Sequence, residues 1–150
     1  MEKLVTLNID GKTIEVPSTY TIMQAADALG INIPRLCFLK DINENASCRV
    51  CVVEIAGMRS LKNSCSVEVG SILNREGTAT IYTNTPRVRA AVRQALELIA
   101  ANHRFDCWKC PREHNCELLA LLRRYSIDNV MGESKKKKKK LPIINESDAI

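Results

Sequence analysis

Seven cysteines and two histidines are the residues best suited to chemistry in this 150-residue chain. Eight of these nine fall into two spaced groups. Cys37, Cys48, Cys51 and Cys65 read C-x10-C-x2-C-x13-C, and His103, Cys107, Cys110 and Cys116 read H-x3-C-x2-C-x5-C. Thiolate and imidazole are the donors that hold iron and zinc, and four of them make a complete ligand set. The count agrees, because an odd number of cysteines strands one thiol in any disulfide framework. Seven cysteines plus one histidine divide into two full sets of four.

In the first group one long segment carries three donors, so a single loop wraps something, and the fourth donor comes from further along. Four soft anionic sulfurs stabilise iron in both oxidation states, and surrounding backbone amides donate to cluster sulfurs, which points to a 2Fe-2S cluster. Zinc competes, since C-x2-C is also a zinc half-site. Zinc sites usually pair two such knuckles, however, and Cys37 and Cys65 are single. Two further readings are buried structural cysteines and a zinc ribbon joining Cys48 and Cys51 to Cys107 and Cys110. The second group lies within 14 residues. That suits a cubane cluster held by one loop between two helices, but one histidine and three cysteines at this spacing suit zinc equally well. Phe105 and Trp108 are placed either to shield this second site from water or simply to pack. His114, between Glu113 and Asn115 in a polar stretch, reads as a solvent-exposed residue rather than a ligand or proton relay.

The elements that position these donors are those of an α+β fold. Residues 4 to 9 and 13 to 16 alternate apolar and polar around Asp10-Gly11, a two-residue hairpin signal. Ser18 or Thr19 is expected to cap a helix bearing Ile22, Ala25, Ala26 and Leu29, which Gly30 ends. Residues 31 to 49 read as a long connection, and such loops in small domains are usually functional. Strands are expected at 50 to 55, after Gly57 through Leu61, and at 78 to 82, giving a small mixed sheet crossed by one helix. Thr85-Pro86 starts a helix with Val88, Ala91, Ala95, Leu96, Leu98 and Ile99 on its apolar side, running to Asn102. A short amphipathic helix covers 117 to 125, and from Gly132 the sequence reads as a linker.

Ile33-Pro34-Arg35-Leu36-Cys37-Phe38-Leu39 and Ser47-Cys48-Arg49-Val50-Cys51-Val52-Val53-Glu54, followed by the His103 to Cys116 motif, resemble one family: the N-terminal region of iron-only hydrogenases and of the large iron-sulfur subunit of complex I. The resemblance covers residues 1 to about 125. It implies a β-grasp, ferredoxin-like 2Fe-2S domain at 1–84, with Cys37, Cys48, Cys51 and Cys65 as ligands. It also implies a small helical 4Fe-4S segment at 85–130, with His103, Cys107, Cys110 and Cys116 as ligands, and leaves a Lys-rich tail at 131–150. The family commonly has glycine two residues before the second cysteine, where this chain has Ala46. A neutral imidazole in place of a thiolate makes a cluster less negative, so the second cluster is expected at a raised reduction potential.

The implied function is electron relay within a larger oxidoreductase. Expected partners are further 4Fe-4S carriers, a flavin-bearing NADH-oxidising subunit and a hydrogenase catalytic domain. An NAD(P)-linked iron-only hydrogenase is preferred, on the Cys-Phe-Leu stretch and the ending Ile144-Asn145-Glu146-Ser147-Asp148-Ala149-Ile150. The corresponding part of an NADH dehydrogenase or formate dehydrogenase is the alternative, and a zinc-stabilised interaction module is the alternative of another class. No G-x-G-x-x-G or P-loop occurs, so no catalytic centre is expected within these residues. The resembled proteins continue into more domains, and the chain reads either as a fragment or as a docking subunit.

Composition fits. The chain is 45% hydrophobic and 26% charged, a globular balance. Its formal charge of +5 comes from Lys135 to Lys140, for without those six lysines 16 basic residues face 17 acidic ones. A nucleic-acid face therefore has no support outside that run, which reads as a solvated linker. The first residues are broken by charges and no stretch approaches the roughly 20 apolar residues of a membrane span. A cytoplasmic setting, where thiols stay reduced and bind metal, is the expectation.

Overall fold

The computed structural model describes residues 3–40 and 42–127. Residues 131–150, including the lysine run, lie outside them. Strands β1 (Leu4–Ile9) and β2 (Lys12–Pro17) form the expected hairpin. Its turn places both Asp10 (φ 49°) and Gly11 (φ 86°) in the left-handed region, as the tight two-residue turn requires. Helix α1 (Ile22–Ala28) follows, then β3 (Val52–Ile55), β4 (Lys62–Asn63), β5 (Thr78–Tyr82), α2 (Pro86–Ala101) and α3 (Glu117–Arg124). The five strands form one sheet in the order β2-β1-β5-β3-β4, with β1 parallel to β5 and every other pairing antiparallel.

Alternation along β3 divides the molecule. Val53 and Ile55 face a core built with Leu7, Ile9, Ile22, Met23 and Ile81, whereas Val52, on the other face, packs against a second core made by Val50, Val88, Val92, Leu96, Ala100 and Leu122. Helices α1 and α2 thus cover opposite faces of one sheet. Thr85 caps α2, its hydroxyl accepting from the Val88 N–H at 3.2 Å and donating to Glu54 on β3 at 2.7 Å. Arg87 adds a 3.5 Å ion pair to the same carboxylate, so the entry to α2 is tied to the sheet that carries the first cysteine group.

Several expectations are corrected. The cap of α1 is Thr21, not Ser18 or Thr19: its hydroxyl accepts from Gln24, and the Gln24 side chain answers the Thr21 N–H, a reciprocal pair that the earlier hydroxyls cannot form. Val50 and Cys51 lie in a turn ahead of β3, because Arg49 takes a left-handed φ of 58° and breaks the extended run. The strand expected after Gly57 through Leu61 begins only at Lys62. On α2 the buried stripe is Val88, Val92, Leu96 and Ala100 at strict four-residue spacing, and Leu98 is exposed.

Candidate metal centres

The four cysteines of the first group converge between the loop after α1 and the chain crossing the sheet. The backbone N–H of Cys48 points at the Cys37 sulfur at 3.5 Å, and the Cys51 and Cys65 sulfurs face each other at 3.3 Å. Cys37 and Cys48 are half-buried, whereas Cys51 and Cys65 are 1% exposed. Burial pushes the Cys65 thiol up to about 12, and the facing Cys51, together with charge on Cys37 and Cys48, acts the same way. Cys65 is therefore within electrostatic reach of the other three. Burial also raises the Cys48 thiol, against backbone donors at Val50, Cys37 and Leu36. For Cys37 burial is outweighed by donors at Cys48 and Ser47, and its pKa falls. Amides turned onto sulfur in this way favour the thiolate that binds iron.

Two left-handed residues make that inward turn. Ala46 has φ 50° and Arg49 φ 58°, and these left-handed residues turn the loop at the approach to Cys48 and between Cys48 and Cys51. Ala46 stands where the resembled sequences commonly have glycine. Valine, branched at Cβ, adds about 2 kcal/mol of strain there. Glycine relieves the strain but gives up a buried methyl worth about 0.8 kcal/mol and adds unfolded-state entropy. We expect Ala46→Gly to unfold in urea within about 1 kcal/mol of the parent and Ala46→Val to unfold about 2 kcal/mol earlier; equal midpoints for the valine variant and the parent would contradict the left-handed backbone.

Ser64 was not legible as a site residue. It is fully buried, and both its hydroxyl (2.8 Å) and its N–H (3.0 Å) donate to the Cys51 carbonyl, which holds the chain before Cys65 against the C-x2-C turn. Its own carbonyl accepts from the Met23 N–H at 2.9 Å, and Val67 accepts from Ile22 at 3.0 Å. The first turn of α1 thus uses its spare N–H groups to clamp the segment bearing Cys65. A serine beside a cysteine carries no pattern that would announce this.

The second group forms between the end of α2, capped by Asn102, and the start of α3. His103, Cys107, Cys110 and Cys116 all line one cavity of about 360 Å³, together with Arg104, Asp106, Lys109, Glu113 and Leu119. Two short 3-10 turns, Cys107–Lys109 and Glu113–Asn115, fold the loop around it. Cys116 is the N-cap of α3, and its sulfur accepts from the Leu119 N–H at 3.4 Å. His103 Nδ1 accepts from the Phe105 N–H at 3.1 Å, with the two rings edge to face at 4.6 Å. A neutral imidazole accepting at Nδ1 carries its proton on Nε2. Ligation through either nitrogen therefore costs this hydrogen bond, worth about 1 kcal/mol.

Trp108 is 71% exposed with Lys109 over its ring at 4.2 Å, so it neither shields the cavity nor packs into a core. Phe105 is half-buried and belongs to the second core. His114 is exposed. Cys107 and Cys110 sit with His103 and Cys116 rather than with Cys48 and Cys51, so a ribbon between the groups is not assembled. All seven cysteines are free. Among the described residues no three or more His, Cys, Asp or Glu close on a single-ion site. The donor chemistry of both groups nonetheless fits iron-sulfur clusters, which distribute their ligands over separate irons.

The family described as a 2Fe-2S iron-sulfur cluster binding domain matches residues 2–74. That of the NADH-ubiquinone oxidoreductase-G iron-sulfur binding region matches residues 93–130. The NADP-reducing hydrogenase subunit HndD of Solidesulfovibrio fructosivorans is 43% identical over 129 residues, covering 83% of this chain and 21% of the relative. The NADH-ubiquinone oxidoreductase 75 kDa subunit of Reclinomonas americana is 34% identical over 125 residues, covering 83% of this chain and 17% of the relative. The chain thus spans about a fifth or less of the length of these curated relatives. Among solved structures, an NAD+-reducing NiFe hydrogenase in the H2-reduced state superposes with a TM-score of 0.69 at 26% identity, over 82% of this chain and 49% of that one.

Proposed function

The chain belongs to the iron-sulfur electron-transfer modules that join a 2Fe-2S binding domain to an NADH-ubiquinone oxidoreductase-G iron-sulfur region, and from that premise we propose that it relays electrons within an NAD(P)-linked iron-only hydrogenase. Its cofactors are one 2Fe-2S and one 4Fe-4S cluster. In this reading Cys37, Cys48, Cys51 and Cys65 hold the first and His103, Cys107, Cys110 and Cys116 the second. A β-grasp domain at 1–84 carries the former, and a small helical domain at 85–130 carries the latter. Each cluster, when bound, supplies a one-electron carrier; the chain's own residues insulate, orient and separate the two.

The observation that carries the proposal is the second core. Cys48, from the first group, packs in the same apolar layer as Phe105, from the loop of the second, with Leu36, Val52, Leu121 and Tyr125 in that layer. Both groups thus border one buried apolar cluster, Val50, Val88, Val92, Leu96, Ala100, Leu122 and Ile127, which joins the two sites in a single packed unit. The greater identity to the hydrogenase relative, 43% against 34%, favours that machine; the match of residues 93–130 to an oxidoreductase-G region favours the second reading, an NADH dehydrogenase. No helix among the described residues is long and apolar enough to cross a membrane, and a cytoplasmic place beside a flavin-bearing subunit and further 4Fe-4S carriers completes the proposal.

Anaerobically purified protein should be brown, contain iron and acid-labile sulfide, and lose visible absorption on adding dithionite. A colourless protein with stoichiometric zinc would overturn the relay.

A further inference from the structure

A cleft of about 490 Å³ lies away from both ligand groups, between the first half of α2 and the end of α3. It is lined by Arg89, Arg93, Arg124, Asn84, Tyr125 and Ser126. Arg89 and Arg93 are one turn apart on α2, beside the buried stripe of Val88 and Val92. Arg124 is brought across by the end of α3: Ser126 turns left-handed at φ 53°, its N–H reaches the Arg123 carbonyl at 3.1 Å, and the buried Ile127 donates to Leu122 at 2.9 Å. Both Arg124 and Arg89 lie close enough to Tyr125 to pull its phenol down against the burial that raises it. Arg89, Arg93 and Arg124 thus line one cleft with Tyr125, and the Arg124 guanidinium lies 5.9 Å from the Tyr125 ring centre.

Three like charges repel, and they remain together here with little to balance them. Arg93 pairs with Glu97 at 2.9 Å, but among the described residues neither Arg89 nor Arg124 has a carboxylate partner. The surrounding segment is basic as well. Residues 85–127 hold eight basic and four acidic side chains, whereas residues 1–84 hold eight and nine. We propose that this cleft binds a phosphoryl group. A carboxylate is planar and its acceptors lie in one plane that a single arginine fork matches, whereas a tetrahedral phosphoryl group presents acceptors in several directions. Guanidinium groups from two helices, with neutral donors at Tyr125, Ser126 and Asn84, match the second geometry. The ligand is a free inorganic phosphate or diphosphate, or the diphosphate of a nucleotide.

The test is calorimetric titration of the full chain with its clusters in place, at low salt, using inorganic phosphate, pyrophosphate and ADP as probes. Pyrophosphate should bind one to one, and the double variant Arg89→Gln/Arg124→Gln should weaken it by roughly tenfold or more. Arg75→Gln, an exposed arginine of the first domain, should leave binding unchanged. Unaltered visible spectra in both variants establish that the fold and clusters are intact. ADP tighter than pyrophosphate assigns a nucleotide and equal affinities assign the inorganic ion; both support the cleft. No pyrophosphate binding at millimolar concentration, or equal weakening in Arg75→Gln, overturns the proposal. So does tighter binding of a glutamate-rich peptide than of pyrophosphate, which would make the cleft a seat for a protein carboxylate cluster.

Discussion

Replacing Cys48 with serine is expected to abolish the electron paramagnetic resonance signal of the 2Fe-2S cluster and leave that of the 4Fe-4S cluster in place. Cys48 is half-buried and shares the second core with Leu36 and Val52. Serine is close to it in size, so the packing survives. The backbone contribution survives too, since the Cys48 N–H directed at Cys37 does not depend on the side chain. What is lost is one of four soft anionic donors, and three thiolates do not complete the set. Without the cluster Cys65 stays a neutral thiol, its pKa pushed up to about 12 by burial, and buried neutral thiols behave as small hydrophobes that do not unfold a core. The second cavity has its own four donors, none shared with the first. Iron should fall by the two atoms of the lost cluster, with the far-ultraviolet circular dichroism unchanged. Disappearance of both signals in a folded variant would show that the division of ligands is wrong, and Cys48→Ala, which offers no oxygen donor, guards against a weakly held residual cluster.

The separation of the two cysteine-bearing groups in the fold was legible from spacing: 37 residues lie between Cys65 and His103, and the structure puts α2 in that interval. The hairpin turn and both ends of α2 were also legible, since Asp10-Gly11 and Thr85-Pro86 act on adjacent residues. Features that depend on distant partners were not. Thr21 outcompetes Ser18 and Thr19 as cap because Ile22 and Met23 must meet the carbonyls of Val67 and Ser64. Leu98 suits a helical stripe, but the sheet face that α2 covers selects the row through Val92 and Ala100. Ser64 and the arginine cleft have the same origin, for both are made by side chains far apart in the chain that only the packing of α1 or α3 brings together.

The same separation of the sites allows the second cluster to be tuned alone. His103→Cys is expected to keep the 4Fe-4S cluster and lower its reduction potential on the order of 100 mV. Neutral imidazole contributes no charge, whereas thiolate adds one unit of negative charge directly at iron, which disfavours taking up another electron. Where two histidines replace two thiolates on a 2Fe-2S centre, potentials rise by roughly 250 mV or more. One ligand on a four-iron cluster should give less than half of that if the charge is shared. Folding should be little affected, because His103 is exposed and belongs to neither core, and its loss removes the edge-to-face contact with the half-buried Phe105 ring and the Phe105 N–H bond, the latter already forfeited on ligation. The 2Fe-2S potential is the internal control, since Cys37, Cys48, Cys51 and Cys65 lie outside the cavity that His103 lines. Redox titration followed by electron paramagnetic resonance reads both centres in one sample. A 4Fe-4S potential that stays where it was would remove His103 from the ligand set, and an equal fall at both centres would mean that the change acts through the fold rather than at iron.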